Sequence, residues 1–157
     1  MDFVVIGVLA GVLGTLMMDS LNLLFARAGL LSKIDVGMIG RMTRGWARGR
    51  FRYGHPSEME QDTNEMFYGY IMHYTIGVGL AVSYVHGWDI LVGGPASPAW
   101  ALVYGVATTV VSYFIVYPSM GLGVFGWRSP EKIKSFLSSL ANHLFFGVGI
   151  SVALILT

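Results

Sequence analysis

Two stretches of the chain place a histidine one helical turn ahead of a glycine pair. His73-Tyr74-Thr75-Ile76-Gly77-Val78-Gly79-Leu80 returns near the C-terminus as His143-Leu144-Phe145-Phe146-Gly147-Val148-Gly149-Ile150. Both spell His-x-x-x-Gly-Val-Gly followed by a branched aliphatic, and both lie inside long apolar runs. An imidazole takes up and releases protons near neutral pH and is the commonest metal ligand. A third apolar run carries a carboxylate, Asp19. Two imidazoles and one carboxylate suit Fe, Zn or Mn, and equally a proton or a small polar solute. Asp19, His73 and His143 are therefore the candidate site.

The elements that must position them are membrane helices. Of 157 residues, 54% are hydrophobic and only 12% charged, about half the charge of an ordinary soluble domain. Glycine is abundant, at 21 residues, as it is where helix backbones approach closely in lipid. No cysteine is present, which excludes disulfides, thiolate metal sites, iron–sulfur clusters and cysteine nucleophiles. Apolar runs at about 3–25, 66–84, 99–117 and 131–155 predict one domain with four spans, each long enough for a hydrocarbon core of roughly 30 Å. The first has no basic leader and no cleavage pattern before Arg27, so a retained helix is expected. Ser97-Pro98 and Ser129-Pro130-Glu131 read as helix starts, and Pro118 as a stop. The stretch from Gly87 to Ser97 reads as a loop.

Between the first two spans, residues 26–65 form a polar, basic segment. Asp35 is placed to cap a short amphipathic helix whose Arg41, Arg44 and Arg48 recur at helical spacing, predicting a helix in the membrane interface. The acidic run Glu58-Met59-Glu60-Gln61-Asp62 reads as a solvated turn. All ten Lys and Arg residues fall in this segment, in the 118–132 loop, or at the adjacent helix ends. The positive-inside rule makes that side cytoplasmic and puts both termini outside. The expected location is the bacterial inner membrane. Most arginines then read as topology signal and contact with anionic lipid, and no nucleic-acid partner is expected.

With a rise of about 1.5 Å per residue, His73 lies roughly 10 Å, Asp19 roughly 12 Å and His143 roughly 14 Å from the cytoplasmic helix ends. Asn22, Asn142, Ser20, Ser112, Tyr74 and Tyr113 share that layer. The second and fourth spans run the same way, so their common motif predicts a parallel internal repeat of two hairpins. Aligning Gly11-Val12-Leu13-Gly14-Thr15 with Gly105-Val106-Ala107-Thr108-Thr109 extends it and sets Asp19 opposite Tyr113. Gly7, Gly11, Gly77, Gly79, Gly147 and Gly149 are the expected helix-packing positions.

Met18-Asp19, Gly40-Arg41, Gly49-Arg50-Phe51, His73-Tyr74, Pro118 with Gly121 and Gly123, and His143 with Phe146-Gly147 give the chain a family resemblance. It resembles, over essentially its whole length, bacterial four-helix inner-membrane proteins grouped as a domain of unknown function. The resemblance implies the topology and the emphasis on Asp19, Arg41, His73 and His143; His55, soon after the Gly-Arg-Phe piece, fits it. No activity comes with it.

An ionisable group at this depth costs roughly 2.5–3.5 kcal/mol on insertion scales, whereas interhelical hydrogen bonds in membranes average about 0.6 kcal/mol. A purely structural clasp therefore does not offset three of them, and a cytoplasm-facing polar site for an ion, metal or small polar ligand is the leading reading, with transport as its extension. The chain's size suggests a homo-oligomer or a larger membrane complex. The alternatives are an accessory or assembly subunit, a haem b electron carrier held by the two histidines, and an enzyme acting on a lipid or quinone. Asp19 beside the macrocycle argues against haem, and the absence of a nucleophile motif such as Gly-x-Ser-x-Gly weakens the enzyme.

Overall fold

Asp2 accepts a hydrogen bond from the Val4 amide and starts helix α1 (Phe3–Arg27) in a computed structural model that describes residues 2–157. Four more helices follow: α2 (Val36–Ala47), α3 (Glu65–Leu91), α4 (Pro98–Ser119) and α5 (Lys132–Leu156). Among the described residues there is no strand. Helices α1, α4 and α5 are both long and apolar enough to cross a membrane. Helix α3 is long enough, but its tyrosines and histidines dilute its hydropathy.

Smooth glycine faces set the packing. A Cβ on Gly11 would sit 2.5 Å from Val78 Cα, and one on Gly105 would sit 2.6 Å from Gly147 Cα. Helix α1 thus meets α3 backbone to backbone, as α4 meets α5. Gly14 and Gly149 bring α1 and α5 equally close. Cβ atoms on Gly7, Gly77 and Gly147 would likewise meet Val82, Thr15 and Ala101 of the facing helices. At Gly79 nothing lies within 4 Å of where its Cβ would be. Helices α3 and α4 stay apart along most of their length. They are bridged toward one end by tyrosines, with Tyr104 donating to Leu80 O at 2.8 Å and Tyr84 donating to Ser97 O.

Several boundaries move from their expected places. Helix α3 continues through Gly87 to Leu91, so the loop before α4 shrinks to 92–97. Helix α4 continues through Pro118 because its preceding turn, Ser112–Val116, is a wide π turn in which Tyr117 N–H donates to Ser112 O. Proline's ring clashes with the carbonyl four residues back in an ordinary helix, and the wide turn eases that conflict. Helix α5 begins at Lys132 rather than directly after Ser129, whose hydroxyl lies 2.6 Å from that of Ser135 instead of capping the helix.

The basic segment folds back onto the bundle. Asp35 caps α2 as expected, accepting from Met38 N at 2.8 Å. Helix α2 then crosses the base of α3, and its Ile39 and Met42 join Tyr53, Met59 and Met120 in a second apolar cluster, separate from the core of the long helices. The acidic run, with Glu58, Glu60 and Gln61 exposed, also supplies ion-pair partners: Arg41–Glu65 at 3.0 Å, Arg44–Asp62 at 2.7 Å, Arg48–Glu60 at 3.4 Å and Arg50–Glu58 at 2.6 Å. These pairs nest about Tyr53 and Gly54 like the rungs of a hairpin. The other basic loop docks on this one, with Arg128 donating to Gly54 O at 2.8 Å and Gly121 packed on His55 backbone.

Candidate functional site

Each histidine is met by the partner helix of its own hairpin. On α3, His73 Nε2 lies 2.8 Å from Asp19 Oδ1 of α1, with the Tyr74 ring edge-on beside it. On α5, buried His143 places Nδ1 2.8 Å from Thr108 Oγ1 and Nε2 2.8 Å from Ser112 Oγ, both on α4. Thr108 and Ser112 are four residues apart, so they share a helix face, and the ring fits between them.

A second polar web sits one residue earlier on α5. Asn22 donates to Ser32 O and to Asn142 Oδ1, each at 3.0 Å, and accepts from Ile34 N at 3.1 Å. Ser138 Oγ accepts from Ser32 N at 2.7 Å. Every buried amide here has a partner, and together they tie the 30–35 loop to the ends of α1 and α5.

Between these groups lies a cavity of about 340 Å³. His73, His143, Ser112 and Asn142 line it together with an apolar wall that includes Met18, Ile76 and Phe146. It extends to the loops at the cation-bearing end, where Lys33, Asp35 and Pro130 contribute. It ends short of the opposite face, its outermost lining residues being Thr15, Leu80, Val111 and Phe146. The gap between α3 and α4 makes the room.

The two motif histidines therefore share one cavity. Asp19 stands behind His73, outside the lining. Among the described residues, no three His, Asp or Glu side chains converge to hold a metal ion. The ring nitrogens of His143 both face hydroxyls, which leaves neither free for an iron in this packing. Of the supporting residues, Asn22 and Asn142 belong to the site's frame. Arg41 is held by Glu65 on the far side of α2, and Tyr113 donates to Phe136 O at 2.8 Å within an aromatic cluster. His55 caps the short helical turn Pro56–Glu58 and is exposed. Sequence reasoning reached Ser112 through its depth but missed Thr108; the signal was its four-residue spacing from Ser112 on the helix that faces His143.

The match to known sequences covers residues 6–157 and carries the description "Protein of unknown function (DUF2938)". The chain belongs to that family. Its extent agrees with the whole-chain resemblance expected from the motifs. No curated protein and no solved structure matches the chain.

Proposed function

We propose that the chain is a four-span protein of the bacterial inner membrane whose intramembrane cavity binds a small amphipathic ligand entering from the cytoplasm. The observation that carries this reading is the single cavity shared by His73 and His143, open toward the cation-bearing end. Its volume is at the lower end of the range for small-molecule sites, about 300–1,000 Å³. Methionine and aliphatic walls suit an apolar body; two imidazoles, hydroxyls and an amide suit a polar end.

Support for α3 as the fourth span is its length, 27 residues or about 40 Å, and its close packing along α1. The end that gathers all ten cations becomes cytoplasmic by the positive-inside rule. Among the described residues, Arg27, Lys33, Arg52 and Lys132 have no ion-pair partner. They suit anionic headgroups, worth about 1 kcal/mol per cation near the surface. The repeat reading draws on matched contacts: Gly11 against the Gly77–Val78 backbone, and Gly105 against Gly147. On that reading the α1–α5 contact has no counterpart between α3 and α4, and the cavity occupies the missing interface. Because the glycine faces are used within the chain, the accessory-subunit reading loses its main motive.

The test is native mass spectrometry of protein extracted into mild detergent. A retained small molecule in one-to-one ratio is expected, lost when Val111→Trp fills the cavity and weakened in His73→Ala and His143→Ala. Because the chain has no cysteine, Ser139→Cys gives a unique thiol on the cavity wall. A membrane-impermeant thiol reagent should reach it from the cytoplasmic side alone. A bare protein whose thiol reacts from neither side would overturn the reading.

A further inference from the structure

The proton positions around His143 follow from counting donors. Thr108 Oγ1 lies 2.6 Å from Gly105 O, an acceptor with no proton to give. The single hydroxyl proton of Thr108 is thus committed to that carbonyl. Toward His143 Nδ1, 2.8 Å away, the same oxygen can only accept, so Nδ1 carries the N–H. The ring is buried with two hydroxyl neighbours and no acid beside it, and an unpaired buried charge is costly. The imidazole is neutral, and Nε2 holds a lone pair. Ser112 Oγ, 2.8 Å from Nε2, donates its proton to it.

This is a nucleophile, a base and a group that orients the base, in the order acyl-transfer chemistry requires. Ser112 opens the π turn of α4, and both it and His143 line the cavity. Wide turns of this kind recur at functional sites in helices. Asn142 lines the same wall with its Oδ1 already occupied by Asn22, which leaves its N–H groups, the donor type a developing oxyanion needs.

We propose that Ser112 is an acyl-accepting nucleophile with His143 as its general base and Thr108 as a positioning residue, acting on a small carboxylic ester held in the cavity. Ser112 Oγ attacks the ester carbon while His143 Nε2 takes the hydroxyl proton. The new C–O bond pushes the carbonyl electron pair onto oxygen. Collapse of that intermediate breaks the bond to the alcohol, which leaves with the proton from Nε2. Water from the cytoplasmic mouth then attacks the acyl-serine, His143 taking its proton and returning it to Ser112 Oγ. Ester and water become acid and alcohol. This deepens the ligand-binding reading and rests on it.

The probe is an alkyl fluorophosphonate applied to the full chain in detergent, with intact and peptide mass spectrometry. One adduct on Ser112 is expected, absent in Ser112→Ala, which should stay folded with at most a small drop in melting because it removes a single donor. General-base catalysis contributes about 10²–10⁴-fold, so His143→Gln should slow labelling at least a hundredfold. Thr108→Val should slow it about tenfold, with Thr108→Ser restoring it, and hydrolysis of p-nitrophenyl butyrate should follow the same order. If the Ser139→Cys thiol is reachable and Ser112 stays unmodified, the nucleophile is refuted while the cavity stands. Labelling at an equal rate in His143→Gln refutes the dyad, and an unreachable thiol with no adduct refutes both readings.

Discussion

Gly40→Ala tests whether α2 closes the mouth of the cavity. The new methyl would lie 1.8 Å from Glu65 O, 2.6 Å from Glu65 C and 2.9 Å from Gly69 N. Ordinary contact begins near 3.4 Å, so the two helices must part by the difference, about 1.6 Å. Nothing can swing aside, since all three atoms are backbone. The reciprocal crossing is as tight, since a Cβ on Gly69 would fall 2.0 Å from Val36 O. Overpacking costs about 1–3 kcal/mol, and a rigid backbone clash belongs at the upper end, about 3 kcal/mol. Every 1.4 kcal/mol is about tenfold in an equilibrium, so the undocked population of α2 should rise by about a hundredfold. Asp35, Met38 and Ile39 line the cavity from this segment and withdraw with it. The assay is the rate of thiol modification in a Ser139→Cys background, with helical content followed in parallel. The control is Gly79→Ala, where the added methyl meets nothing within 4 Å. A hundredfold faster reaction in Gly40→Ala, against an unchanged rate in Gly79→Ala, is expected. Equal rates in the two variants would refute the lid, because the steric argument leaves α2 no undisturbed way to stay docked.

Asn22→Ala removes three hydrogen bonds at once and leaves the Ile34 amide without its acceptor; unfolding free energy measured by steric trapping should fall by roughly 2–3 kcal/mol. Asp19→Asn keeps a partner for His73 Nε2 and should change stability by less than about 1 kcal/mol, checked in the same assay. Arg44→Gln loses the 2.7 Å pair to Asp62. For a partly exposed pair the loss should stay below about 1 kcal/mol and shrink in 1 M salt, read from melting at low and high ionic strength.

Long helices were legible because their signals are local. Apolar runs, Asp35 before an amphipathic stretch, and glycines three and four apart all act within a few residues of themselves. The loop predicted from Gly87 failed because one glycine inside a helix costs only about 1 kcal/mol, and Trp88, Ile90 and Leu91 extend the apolar run past it. The ion-pair ladder was readable in principle: Arg41, Arg44, Arg48 and Arg50 meet Glu65, Asp62, Glu60 and Glu58 in reversed order. Reading it needs a pairing hypothesis, whereas treating each charge alone yields a basic helix and an acidic turn. The π turn left no trace in the pattern, since periodicity does not report one extra residue in a single turn.

The histidine motif was the clearest signal, and its two copies meet different partners, a difference that the register of the proposed repeat accounts for. Setting Gly11 against Gly105 places Gly14 where Thr108 stands and Met18 where Ser112 stands. His73 therefore meets no hydroxyl at either position on α1. One residue beyond Met18 comes Asp19, set against Tyr113 in the same register, and its carboxylate takes Nε2. On α4, Thr108 and Ser112 hold both nitrogens of His143 first, while Tyr113 turns away to Phe136 O. One imidazole becomes half of a carboxylate pair and the other sits between two hydroxyls. Exchanging the neighbours should therefore exchange the behaviour. Introducing Gly14→Thr with Met18→Ser would offer His73 a hydroxyl pair, but Gly14 has Phe146 2.8 Å from its would-be Cβ. The α1–α5 contact excludes the side chain that α4, open to α3, is free to carry.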